Sequence, residues 1–107
     1  MVELGDLVWV RYWDMPGRVV GWHSGRGNGA NRFEVKLANG RTSVWHTHNP
    51  TTEPTTPYQE EWIRHVFGVG ERPTYVIMDT PDSTYGTSRA DIAAYIRRCS
   101  KELGWVP

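Results

Sequence analysis

The sequence predicts an α+β domain in which four antiparallel strands are followed by a helix, a further strand and a C-terminal helix. Three observations carry this reading. Four short runs rich in Val, Trp and Phe occupy residues 7–12, 18–23, 33–37 and 41–47, and turn residues separate them. Thr56-Pro57-Tyr58-Gln59 has the form of a helix start, with Gln three residues after a Thr cap and Pro at the first helical position. Ile92, Ile96, Cys99 and Leu103 recur at spacings of 4, 3 and 4, the stripe of an amphipathic helix. At 107 residues the chain fits one domain. We divide it into the strands of 4–48, a Pro/Thr connector at 49–57 and a helix-strand-helix extension at 58–107.

In Leu7-Val8-Trp9-Val10-Arg11-Tyr12, alternation places Val8, Val10 and Tyr12 on one face and Leu7, Trp9 and Arg11 on the other. Asp14-Met15-Pro16-Gly17 reads as the turn that follows, with Pro fixing φ and Gly free to take positive φ. Residues 24–31 are a glycine-rich loop. Asn39-Gly40 suits a tight hairpin between the third and fourth strands. Three prolines and no apolar side chain mark residues 49–57 as extended connector. In the first helix Tyr58, Trp62, Ile63, Val66 and Phe67 share a face, and Gly68 ends it. Thr74-Tyr75-Val76-Ile77-Met78 is a strand and residues 81–87 are a loop. Ser88-Arg89-Ala90-Asp91 forms a capping box for the last helix, with Gly104 and Trp105 closing it.

Composition narrows the function classes. Twelve basic residues balance twelve acidic ones, which is not the signature of a strongly basic nucleic-acid binder. The balance is uneven along the chain: residues 18–41 carry a net +4, and residues 50–107 a net −2. Ten of the twelve basic residues are Arg, a bias expected of a GC-rich bacterial or phage genome. The one cysteine, Cys99, permits no internal disulfide and suggests a reducing, cytoplasmic setting, the host cytoplasm if the chain is phage-encoded. No apolar run approaches the ~20 residues of a membrane span, and no signal peptide is expected, since Met1 leads into a strand pattern holding Glu3 and Asp6.

Gly5-Asp6-Leu7-Val8-Trp9, Pro16-Gly17-Arg18-Val19-Val20, and Arg32-Phe33-Glu34-Val35 with Asn39-Gly40-Arg41 resemble the Tudor/PWWP group of SH3-like barrels over about residues 4–48. The resemblance implies a small SH3-like antiparallel β-barrel followed by helices. It also implies a binding module, because the group often holds methylated lysine in an aromatic cage by cation–π attraction. Carried over by position, Tyr12 stands where a first cage aromatic would be. Asp14 and Met15 replace the paired tryptophans of a PWWP domain, and Leu37 and Ala38 replace the aromatic after the third strand. The resemblance therefore supports the scaffold and not the methyl-lysine ligand.

Among candidate sites, Tyr12, Trp13 and Trp22 are residue types that dominate interfaces, and Trp9, Trp22 and Trp45 compete for space in a small core. They are the expected partner-binding surface, set against the simpler reading that they line the barrel and pack under the helices. Arg18, Arg26, Arg32 and Arg41, with the glycine-rich loop, are candidate phosphate or nucleic-acid contacts, although the loop matches no phosphate-binding fingerprint. His46 and His48 can point one way from a strand, but no further ligand at zinc spacing completes them, so no metal is expected. Cys99 on an apolar stripe is expected to be buried and inert; Asp79 and Asp82 stand at a strand end, where catalytic carboxylates occur, but turn chemistry explains them equally well. With no catalytic pair and no cofactor motif, the expected function is a non-enzymatic binding module acting through protein–protein contact, such as a bacterial or phage accessory protein. A nucleic-acid-binding protein and a virion or other structural assembly protein are the alternatives.

Overall fold

The computed structural model describes residues 2–23, 31–85, 93–95, 97, 98 and 101. The elements are β1 (Leu7–Val10), β2 (Met15–His23), β3 (Arg32–Leu37), β4 (Thr42–Trp45), β5 (Thr52–Pro54), α1 (Pro57–Phe67), β6 (Tyr75–Ile77) and β7 (Ser83–Tyr85). Residues 93–95, 97, 98 and 101 are helical. Arg26 and most of the glycine-rich loop lie outside the described residues. So do the capping box of the last helix, its stripe at Ile92, Ile96, Cys99 and Leu103, and Gly104 and Trp105.

The strands form one mixed sheet in the order β5-β6-β1-β2-β3-β4-β7. β6 pairs with β1 in parallel, so the strand of the C-terminal half belongs to the same sheet as the first four. No ladder among the described residues joins β5 to β7, so the hydrogen-bonded ring of a closed antiparallel barrel is not formed here. The sheet is nevertheless strongly curled. The Trp45 indole on β4 donates to the Asp79 carbonyl just after β6, 3.1 Å away, although three strands intervene in the ladder.

The first hairpin turns at residues 11–14, not at the expected 14–17. The Asp14 N–H donates to the Arg11 carbonyl, and Asp14 takes the positive φ of 54° that was expected of Gly17. Pro16 and Gly17 are instead strand residues opposite Trp9 and Val8. Proline is tolerated near a strand start. Glycine is required because a Cβ at position 17 would collide with the Val35 side chain and lie 3.2 Å from the Lys36 carbonyl oxygen.

The register places Val8, Val10, Met15, Val19, Val35, Leu37, Phe33 and Trp45 on the concave face, all buried. A register shift between Val19 and Gly21 leaves Val20 as an exposed extra residue and sharpens the curl. Phe33 and Trp45 stack with centroids 5.1 Å apart. The convex face of β1 and β2 is covered by α1, which buries Trp62 and Ile63. α1 begins as expected: the Thr56 hydroxyl accepts from the Gln59 N–H, and the Gln59 amide oxygen accepts from the Thr56 N–H. Gly68, at φ 82°, ends it.

Two three-residue strands replace expected irregular structure. β5 lies within the Pro/Thr connector and pairs with β6, and β7 lies within the expected loop and pairs with β4. Neither segment alternates apolar and polar residues, so local pattern gave no strand signal.

Candidate functional site

The β1–β2 turn carries the aromatic pair singled out in the sequence. Tyr12 is 54% exposed and meets Trp13 edge to face, centroids 4.7 Å apart and planes at 84°. Trp13 is half-buried, and its indole N–H donates to the Ser43 hydroxyl at 3.0 Å. Ser43 on β4 is fully buried, so the inner ring of the pair is fixed while the outer ring faces solvent. The Trp9 indole donates to the Asp14 carboxylate at 3.3 Å and holds the far side of the turn.

α1 adds a residue that strand patterning could not supply. Tyr58, in its first turn, is 48% exposed and meets Trp62 edge to face at 6.2 Å. Partial loss of solvent, and then the Asp14 carboxylate, push its hydroxyl above the ordinary tyrosine range. The second effect places Tyr58 within electrostatic reach of the β1–β2 turn. Tyr58 and Tyr12, which stands two residues before Asp14, are thus both exposed tyrosines. The only sequence signal for Tyr58 was its position on the outer edge of the α1 apolar stripe.

Trp22 does not join this group. It lies near the other end of β2 and stacks on the His48 ring, centroids 4.0 Å apart and planes at 22°. The His48 Nε2 lies 2.6 Å from the His23 carbonyl oxygen and 3.0 Å from that of Arg32, so it serves as an N–H donor to both. His46 approaches Asp82 instead, with Nδ1 3.2 Å from the carboxylate, so the two histidines are committed to different partners. Asp82 also accepts from the His46 backbone N–H at 2.6 Å, and Asp79 accepts from the Thr51 N–H at 2.8 Å. Both carboxylates act as local clasps for the chain.

The predicted arginine set is dispersed. The Arg18 guanidinium sits 5.6 Å from the centroid of the Phe67 ring, at the end of α1. Arg32 is half-buried at the start of β3, beside the His23 end of β2. Arg41 is exposed just after the β3–β4 hairpin. No single face gathers all three.

Sequence reasoning missed a network around one buried carboxylate. The Asp6 carboxylate, 4% exposed, accepts from the Arg72 guanidinium at 2.6 Å, from the Tyr75 hydroxyl at 2.6 Å and from the Glu3 N–H at 3.0 Å. Arg72 also reaches Glu3 at 2.6 Å. Burial first, then the hydrogen bond to Asp6, push the Tyr75 hydroxyl far above its ordinary range. The partners are 66 and 69 residues apart, so no local spacing reveals them. The network ties the N-terminal segment to β6. Beyond it, Val2, Thr52, Pro54 and Tyr75 help line a cleft of about 470 Å³ along β5 and β6.

Comparison with family models, with curated proteins and with solved structures found no match to this chain.

Proposed function

We propose that this chain is a non-enzymatic binding module that captures a protein partner through the aromatic end formed by Tyr12, Trp13 and Tyr58. The observation that carries the reading is the exposed Tyr12 ring seated on a Trp13 ring that Ser43 holds in place. A large aromatic presented by a fixed support loses little conformational freedom on binding, which is why such residues serve as interface anchors. Asp14, exposed in the same turn as Tyr12, supplies a negative charge for a complementary cation on the partner. The curled sheet, with α1 packed on its convex face, is consistent with an SH3-like barrel scaffold for this surface. The single cysteine fits residence in a reducing cytoplasm.

The test is affinity capture from a nuclease-treated lysate of the source organism, comparing the native chain with Tyr12→Ala/Tyr58→Ala. A protein held by the native chain and lost by the variant, with both proteins folded, supports the reading. A partner that disappears on nuclease treatment, or that the variant retains, overturns it.

A further inference from the structure

A second surface, remote from the aromatic turn in sequence, is rich in hydrogen-bond donors. Asn39, Arg41, Ala94, Tyr95 and Arg98 line a cleft of about 220 Å³ where the β3–β4 hairpin meets the C-terminal helical residues. The Asn39 amide oxygen accepts from the Arg41 backbone N–H at 3.1 Å. That bond fixes which amide atom is oxygen and leaves Nδ2 as the remaining group. Nδ2 is buried and has no acceptor among the described residues. A buried donor without a partner is costly, which is a reason to look for a ligand here.

Neither Arg41 nor Arg98 is paired with a carboxylate among the described residues. The Arg98 guanidinium lies 5.8 Å from the centroid of the Tyr95 ring, and Tyr95 packs on Trp62 of α1 at 6.1 Å. One wall of the cleft is therefore anchored to the core. Two guanidinium groups and a primary amide offer N–H donors and, apart from the Asn39 oxygen already engaged, no side-chain acceptor of their own. This is the chemistry that recognises an oxyanion.

More cations lie close by. Arg97 and Lys101 are exposed on the same helical stretch as Arg98. On the sheet, exposed Lys36 pairs in register with Thr42, the neighbour of Arg41. A series of cations suits a ligand whose anions repeat better than it suits a single ion. We infer that the Asn39–Arg41–Arg98 cleft is a phosphate-binding site that takes the phosphodiester backbone of a nucleic acid.

The experiment titrates isotope-labelled full-length chain with inorganic phosphate and, separately, with a short single-stranded oligothymidylate. It then compares oligonucleotide affinity for Arg41→Gln/Arg98→Gln with that for a charge-matched control, Arg11→Gln/Arg64→Gln. Arg11, Arg41 and Arg98 are exposed and Arg64 is partly buried beside Glu60, and circular dichroism verifies that each variant is folded. Both ligands should shift the Asn39 side-chain amide signals of the native chain. The cleft variant should bind the oligonucleotide about tenfold more weakly at about 0.05 M salt, with a log–log salt slope shallower by about 1.4. The control should lose far less. Equal losses in the two variants, or an unshifted Asn39 amide, overturn the site. Shifts with inorganic phosphate and none with oligonucleotide overturn the polymer assignment.

Discussion

The indole N–H of Trp13 donates to the hydroxyl of Ser43 at 3.0 Å, across 30 residues of chain. The bond runs from the β1–β2 turn to β4, strands that are not neighbours in the ladder. It therefore reports the curl of the sheet and explains why the turn can hold an exposed aromatic in a set orientation. Fold and proposed function meet in this contact, because the support of Tyr12 is a product of sheet curvature.

Replacing Ser43 by Ala should remove about 1–2 kcal/mol of stability, since the hydroxyl is buried and the indole N–H loses its acceptor. Urea unfolding followed by tryptophan fluorescence measures it. Trp13→Ala should cost more, about 2–4 kcal/mol, because it also empties a partly buried indole site. An unchanged midpoint for Ser43→Ala would show that the bond does not constrain the turn. The larger cost of Trp13→Ala is the reason Tyr12, and not Trp13, is the cleaner probe of partner binding.

Tyr75 should make stability fall at alkaline pH. Its hydroxyl titrates above the unfolded-chain value of about 10, so the folded state retains a proton that the unfolded state releases. Its stabilising contribution is complete below about pH 10 and is lost progressively as pH rises beyond that value. Tyr75→Phe should cost about 1–3 kcal/mol at neutral pH, because Asp6 loses a donor. It should also flatten the decline above about pH 10, read as urea midpoints. A variant that declines as steeply as the native chain would contradict the assignment.

Gly17→Ala tests whether that glycine serves packing. Its Cβ would strike the Val35 side chain on the buried concave face, so β2 or Val35 must shift. We expect a loss of about 1–3 kcal/mol in chemical denaturation, typical of overpacking in a filled core. A neutral substitution would mean that the interior of the sheet is looser than described.

Elements set by local chemistry were legible in the sequence. The Thr56–Gln59 box starts α1, Asn39-Gly40 lies in the β3–β4 hairpin, and Trp62 and Ile63 on the predicted stripe are buried. What was hidden depends on distant pairing. Thr52-Glu53-Pro54 becomes a strand only because β6 offers an edge, and β6 joins β1 in parallel. Asp14, not Gly17, takes the left-handed conformation, because Gly17 is needed where the strands crowd together. The candidate site divides in the same way. Tyr12 and Trp13 were recognisable by residue type. Ser43 as the support of Trp13, Tyr58 as an exposed ring on Trp62 and Asp6 as the partner of Arg72 and Tyr75 required the three-dimensional arrangement. Trp22 has the same residue type as Trp13, but its ring is stacked on His48 near the other end of β2.

The most direct test of the binding reading places a photo-crosslinking phenylalanine analogue at position 12 of the full chain in cells of the source organism. Illumination should yield a discrete, nuclease-resistant protein adduct, and the same analogue at exposed Val20 on the β2 bulge should not yield that adduct. No protein adduct at position 12, or the same adduct from both positions, would contradict the assignment of the aromatic turn as the partner-binding surface.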